Sequence, residues 1–148
     1  MPIFEHTVEI KAEPERVFDL IARVEDFCHY TDMIKEVRAT GPRTYHWKVG
    51  AVGVSLEWDA VVTECVRPMR FAWQSIRGIE NGGSYVLVPS KNGTLVSLSL
   101  EYHLPSRLVE RAVTRVADPL IRRVEAQVLG HVKARLENQA DSFPKDIR

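Results

Sequence analysis

The sequence predicts an α+β fold, a curved antiparallel sheet of about seven strands wrapped around a long C-terminal helix, with two short helices after the first strand. Three observations carry this expectation. Apolar and polar residues alternate along several short runs up to His103; Gly, Pro and Asn separate the runs; after Pro105 the apolar period lengthens to that of a helix.

The elements follow in order. In IFEHTVEIK, Phe4, His6, Val8 and Ile10 share one face of a strand and Glu5, Thr7, Glu9 and Lys11 the other. AEPERVFDLIARVEDF reads as a short helix, with Pro14 suited to its first position and Val17, Phe18, Ile21 and Val24 at helical spacing, followed by a second helical turn near DFCHY. The GPR at 41–43 turns the chain, and Tyr45, Trp47 and Val49 then alternate with His46 and Lys48, which makes a hairpin. In VSLEWDAVVTECV the even positions Val54, Leu56, Trp58, Ala60 and Val62 share a face, opposite Ser55, Glu57, Asp59 and Thr63. Three further strands add Phe71 and Trp73, then Tyr85 and Leu87, then Val96, Leu98, Leu100 and Tyr102 to the apolar face. RPM (67–69), GIENGG (78–83) and SKNG (90–93) supply the turns of a six-strand meander. Beyond Pro105, Leu108, Ala112, Val116, Leu120, Val124, Val128, Val132 and Leu136 recur every fourth residue, widened by Val109, Val113, Ala117, Ile121 and Leu129. Asp118-Pro119 is the point where this helix kinks or restarts.

Composition excludes several classes. Lys plus Arg number 20 and Asp plus Glu 20, so there is no net field to draw nucleic acid. Cys28 and Cys65 lack metal spacing, as do His6, His29, His46, His103 and His131, so neither a metal nor any other cofactor is expected. The start MPIFEHTVEI has charges where a signal peptide needs an apolar run, and no stretch spans a bilayer; a cytoplasmic protein is expected. No GxSxG, P-loop or HExxH occurs. GIENGGS joins two antiparallel strands with no helix after it, so it is a hairpin turn without a phosphate cradle, placing Arg77 and Asn81 at a pocket mouth.

A curved sheet cannot touch a straight helix along its whole length, and the gap is a natural apolar cavity. The order of elements, with KAEPERVFDLIARVEDF, RFAWQSIRG, NGGSYVLVPSKNGTLVSLSLEY and the closing helix, resembles the START-related polyketide cyclase/dehydrase superfamily, the SRPBCC proteins. The likeness covers nearly the whole chain: residues 1–140 form one such domain and 141–148 a polar tail. It implies a helix-grip fold with a deep hydrophobic pocket. The family includes lipid carriers, coenzyme Q-binding proteins and aromatase/cyclases, so it does not by itself imply a reaction.

The alternation turns Phe4, Trp47, Trp58, Phe71, Trp73, Tyr85 and Tyr102 inward, flat side chains suited to a flat or extended apolar ligand. The expected ligand-facing set is His6, Tyr30, Trp47, Trp58, Trp73, Tyr85, Leu87, Leu98 and Tyr102, with Val116 and Leu120 from the helix. Polar inner-face residues are few: His6, Glu64, Ser75, Thr94 and Tyr30. A lone His on a strand face is more often structural than catalytic, and Glu64 has Arg67 or Arg70 to pair with. Glu57 and Asp59 fall on the outer face, with solvent as their expected neighbour. Arg107, Arg111 and Arg115 repeat along one face of 106–117, either a solvated helix face or a lid that rests on an anionic membrane. The first reading is a binder of a small hydrophobic molecule (lipid, quinone or polyketide-like aromatic). The second is a polyketide cyclase or dehydratase using Tyr30, His6, Tyr85 and Tyr102, and the third a protein-interaction module with a collapsed pocket.

Overall fold

The computed structural model describes residues 3–51, 54–103, 119 and 121–138. Seven strands make one antiparallel sheet: β1 (Ile3–Ile10), β2 (Ile34–Gly41), β3 (Thr44–Ala51), β4 (Val54–Val66), β5 (Arg70–Gly78), β6 (Glu80–Ser90) and β7 (Gly93–His103). β2 to β7 pair in chain order, as a meander requires, and β1 joins β7, so β1 and β2 form the edges. Between β1 and β2 lie α1 (Pro14–Ala22) and a 3-10 helix (Val24–His29). A C-terminal helix, α2, runs over 121–138. This is the helix-grip architecture.

Period-two patterning sets the register. Phe4 pairs with Leu100, His6 with Leu98 and Val8 with Val96, which keeps the apolar sets of β1 and β7 on one face. Register shifts at Ile34/Glu36 and Ala39/Gly41 in β2, and at Asp59/Ala60 and Val62/Glu64 in β4, bend the strands and add twist, curling the sheet toward the helix side. α1 starts at Pro14 and buries Val17, Phe18, Leu20 and Ile21. α2 buries Val124, Val128, Leu129, Val132 and Leu136, the stripe expected from the four-residue repeat. The Asp118-Pro119 junction and the tail fall largely outside the described residues.

Polar contacts fix the corners. Lys133 Nζ donates to the Glu9 carbonyl at 2.8 Å and to Glu137 at 2.7 Å, while the Lys11 amide donates to Glu137 at 3.0 Å, so the end of α2 is tied to the end of β1. Fully buried Thr94 donates to the Ala12 carbonyl at 2.7 Å. Beside it a Cβ on Gly93 would sit 2.2 Å from the Ile10 carbonyl oxygen, so only glycine fits where the β6–β7 turn crosses the end of β1. Arg67 holds Asp19 with two bonds of 2.7 and 2.9 Å, joining the β4–β5 turn to α1.

Three expectations are refined. The second helical turn near DFCHY is a 3-10 helix. The turn expected over 78–83 is displaced: β6 begins at Glu80, Gly82 and Gly83 pair with Gln74 and Trp73, and the loop closes where the Asn81 amide donates to Ser75 Oγ at 2.9 Å. Glu64, expected inward, is exposed and accepts from Arg70 at 2.9 Å, because the bulge at Val62/Glu64 breaks the alternation.

Candidate functional site

A cavity of about 90 Å3 lies between the curled sheet and α2. Cross-strand registry builds its aromatic wall. Trp47 on β3 faces Trp58 on β4 across the ladder, and their rings stack at 5.8 Å and 6°. Phe27 of the 3-10 helix meets Trp47 edge-on at 6.0 Å. On the next strands Trp73 tilts against Tyr85 at 5.7 Å and folds over Gly83, where a Cβ would come within 2.9 Å of the indole. Tyr45, Tyr102, Leu100, Phe71 and Val49 complete the sheet side, and Ile121, Val124 and Glu125 close it from α2.

The polar groups of the wall differ in how they are satisfied. Trp73 Nε1 donates to Asn81 Oδ1 at 3.0 Å, and Asn81 is itself held by Ser75 and by the Ile79 carbonyl. Trp58 Nε1 is buried with no hydrogen-bond partner among the described residues. Tyr85 donates its hydroxyl to Glu125 Oε2 at 3.1 Å. Burial pushes the Glu125 carboxyl from 4.5 up to about 7, with the Tyr85 hydrogen bond pulling weakly the other way. Burial, and then the neighbouring Glu125 charge, push the Tyr85 phenol well above its ordinary value. A carboxyl poised near neutrality in an aromatic cavity can hold or release a proton at the pH of a cell.

Of the sequence-derived set, the structure brings Trp47, Trp58, Trp73, Tyr85 and Tyr102 together on the wall. Leu87 and Leu98 are 2% and 1% exposed and belong to the packed core away from it. His6 is half-buried on the β1 edge, stacked on Phe4 at 6.1 Å. Tyr30 is buried beside the cavity, with its ring stacked on His131 at 5.7 Å and against Phe27 at 5.8 Å. Val116, Leu120 and the basic face of 106–117 lie outside the described residues. Glu125 is the group that the apolar reading passes over. Its signal is positional, since Ile121 and Leu129 lie four residues before and after it on the stripe. Asn81, expected at a mouth, is buried and lines the cavity beside Trp73.

On the outer face Glu57 is exposed, as expected, while Asp59 is half-buried. His46 bridges them, with Nδ1 at 2.8 Å from Asp59 and Nε2 at 3.1 Å from Glu57. The Asp59 hydrogen bond is the main reason that the His46 pKa lies above 6.5. No described helix is long and apolar enough to cross a membrane.

Solved structures share this architecture. TTHA0849 of Thermus thermophilus superposes with a TM-score of 0.78 at 22% identity, over 95% of this chain and 99% of that one. The Zhui aromatase/cyclase of Streptomyces sp. R1128 gives 0.74 at 12% identity, covering 96% and 97%. A START superfamily protein of Mycobacterium smegmatis gives 0.64 at 18% identity, covering 93% and 98%. At these identities the likeness shows the fold. No curated protein matches the chain. The sequence family described as polyketide cyclase / dehydrase and lipid transport matches residues 1–137. With that match across the sheet and most of the closing helix, the chain belongs to the polyketide cyclase / dehydrase and lipid transport family.

Proposed function

We propose that the protein binds a small hydrophobic ligand, a lipid, quinone or polyketide-like aromatic, between the sheet and the C-terminal helix, for transport or presentation. The observation that carries this reading is the cavity wall, in which Trp47, Trp58, Trp73, Tyr45, Tyr85 and Tyr102 face one space with few polar groups among them. Apolar burial with a few placed polar groups is the usual chemistry of such sites. The cavity of about 90 Å3 is smaller than the roughly 150 Å3 space that holds a benzene. A larger ligand therefore widens the wall, and the three indoles report the change.

The test is native mass spectrometry of the purified chain, then solvent extraction of whatever is released, with tryptophan fluorescence across an apolar ligand panel. A co-purifying lipid, quinone or aromatic supports the reading and names the class. An empty protein whose fluorescence no ligand alters overturns it. One observation favours a second reading, polyketide cyclisation or dehydration: the Glu125–Tyr85 pair places a proton-exchanging carboxyl at the cavity wall. Turnover of a poly-β-ketone analogue that is lost in Glu125→Gln would favour that reading over simple carriage. The basic face of 106–117 is proposed as a membrane contact, and co-sedimentation with anionic liposomes tests it.

A further inference from the structure

The described wall of the cavity holds one acid, Glu125, and no arginine, lysine or histidine. The rings of three tryptophans and of Tyr45, Tyr85 and Tyr102 line the same cavity, with Tyr85 in contact with the acid. The carboxyl accepts the Tyr85 hydroxyl at Oε2, and among the described residues nothing bonds Oε1. On α2 itself the neighbouring cation, Arg122, is turned away onto the Phe4 ring, 5.3 Å from its centroid. The other titratable groups sharing the wall are the tyrosines, Tyr85 on β6, Tyr102 on β7 and Tyr45 on β3.

Glu125 is half-buried by surface area, yet its carboxyl is desolvated at the wall; ionised, with no counter-charge among the described residues, it is unfavourable, and two events relieve it: protonation, or arrival of a cation. The unliganded protein uses the first, which is why burial lifts Glu125 to about 7. The second needs a ligand. We propose that the cavity accepts an apolar molecule bearing an ammonium group, with Glu125 as its counter-ion and the surrounding rings as its cation–π partners. This rests on the reading of the cavity as an apolar ligand site and adds the polar end of that ligand. Aromatic faces attract cations where water is excluded, so the wall that suits a flat apolar body also suits a positive charge carried on it. A neutral hydroxyl would leave the carboxylate uncompensated, and an anionic ligand would set like charges together. The Trp58 N–H, which has no partner among the described residues, offers a separate hydrogen bond to an acceptor on the ligand body.

Three probes of nearly the same shape test this on the full chain by equilibrium dialysis: 2-(aminomethyl)naphthalene, 2-naphthalenemethanol and 2-naphthoate. The amine stays protonated throughout the range used. At about pH 8, with Glu125 ionised, the amine is expected to bind about tenfold tighter than the alcohol, and the carboxylate probe weakest. Toward about pH 5.5 binding of the amine must first remove the Glu125 proton, so its advantage falls by about tenfold per pH unit below 7 and vanishes. In Glu125→Gln the amine and the alcohol bind alike at both pH values. An alcohol that binds as tightly as the amine at about pH 8, or an amine preference that survives Glu125→Gln, overturns the ammonium assignment and leaves the apolar-ligand reading standing. Absence of binding by all three probes overturns both. Should Glu125→Gln not fold, the wild-type profile decides: a preference unchanged between about pH 5.5 and about pH 8 refutes the proposal.

Discussion

Glu125→Gln should make the fold more stable at alkaline pH and remove part of its pH dependence. In the folded state the carboxyl titrates near 7, against an ordinary 4.5. The native state therefore holds a proton that the unfolded chain has released between these values, and stability falls as pH rises through that window. At 1.36 kcal/mol per tenfold difference in proton affinity, the full loss is about 3 kcal/mol, complete above pH 7 and absent below 4.5. Glutamine keeps an acceptor for the Tyr85 hydroxyl and carries no charge, so it reproduces the protonated state at every pH. Urea unfolding of both proteins from about pH 4.5 to about pH 8.5 gives the difference directly. His46, whose pKa is raised, also adds stability at low pH that is lost as pH rises, but it does so equally in both proteins and cancels. The expected result is near equality at the acid end and a gap in favour of glutamine, growing to about 3 kcal/mol at the alkaline end. A difference that stays constant with pH would refute the claim that the cavity wall desolvates the Glu125 carboxyl.

Other substitutions test the frame around the cavity. Gly83→Ala places a methyl 2.3 Å from the Ser99 carbonyl oxygen and 2.9 Å from the Trp73 ring, so the urea midpoint should fall and the tryptophan emission shift. Backbone offers no way to yield there, and a loss of about 2 kcal/mol or more is expected. Leu129→Ala empties a fully buried position on α2 and should cost about 2 to 5 kcal/mol in equilibrium unfolding. Asp59→Asn should lower the His46 pKa toward 6.5 in an NMR titration, because the Asp59 hydrogen bond is its largest cause; an unchanged value would show that Glu57 alone holds the ring.

Much of the fold was legible because the sheet has two-residue periodicity with a single buried face. Aligning Phe4, His6 and Val8 with Leu100, Leu98 and Val96 already gives the β1–β7 pair. The bulges were not legible. A bulge depends on which residues lie opposite, so strict alternation carried Glu64 inward where the register shift leaves it exposed. The loop after β5 was displaced for the same reason: GIENGG reads as a turn, but cross-strand bonding of Gly82 and Gly83 with β5 and the Asn81–Ser75 bond move the reversal earlier. The His46 bridge needed the β3–β4 register, which sets His46 opposite Asp59 and diagonal to Glu57, two residues along β4 on the same face. At the site, the aromatic wall followed from alternation alone. Distinguishing the wall from the packed core did not, since Leu87 and Leu98 share the inner face with Tyr85 and Tyr102 and differ only in what the curvature brings against them.

Glu125 marks where the needs of folding and of the cavity diverge. An aliphatic side chain there would complete the run of Ile121 and Leu129 and remove a charge whose burial destabilises the alkaline protein by about 3 kcal/mol. Nothing in the packing of α2 requires a carboxyl, because Val124, Val128, Leu129 and Val132 already bury the helix. The Tyr85 hydroxyl offsets only part of the burial, since the carboxyl still titrates near 7. Strain of this kind is what a binding site retains when a ligand relieves it. Whatever pairs with the carboxylate therefore recovers, on binding, free energy that the empty fold gives up, and the same residue couples affinity to pH. Stability and ligand affinity should accordingly move in opposite directions in Glu125→Gln: a more stable protein above pH 7 that binds a cationic ligand less tightly. A variant that gained stability and kept its preference for the amine would separate the two effects and place the recognition elsewhere on the wall.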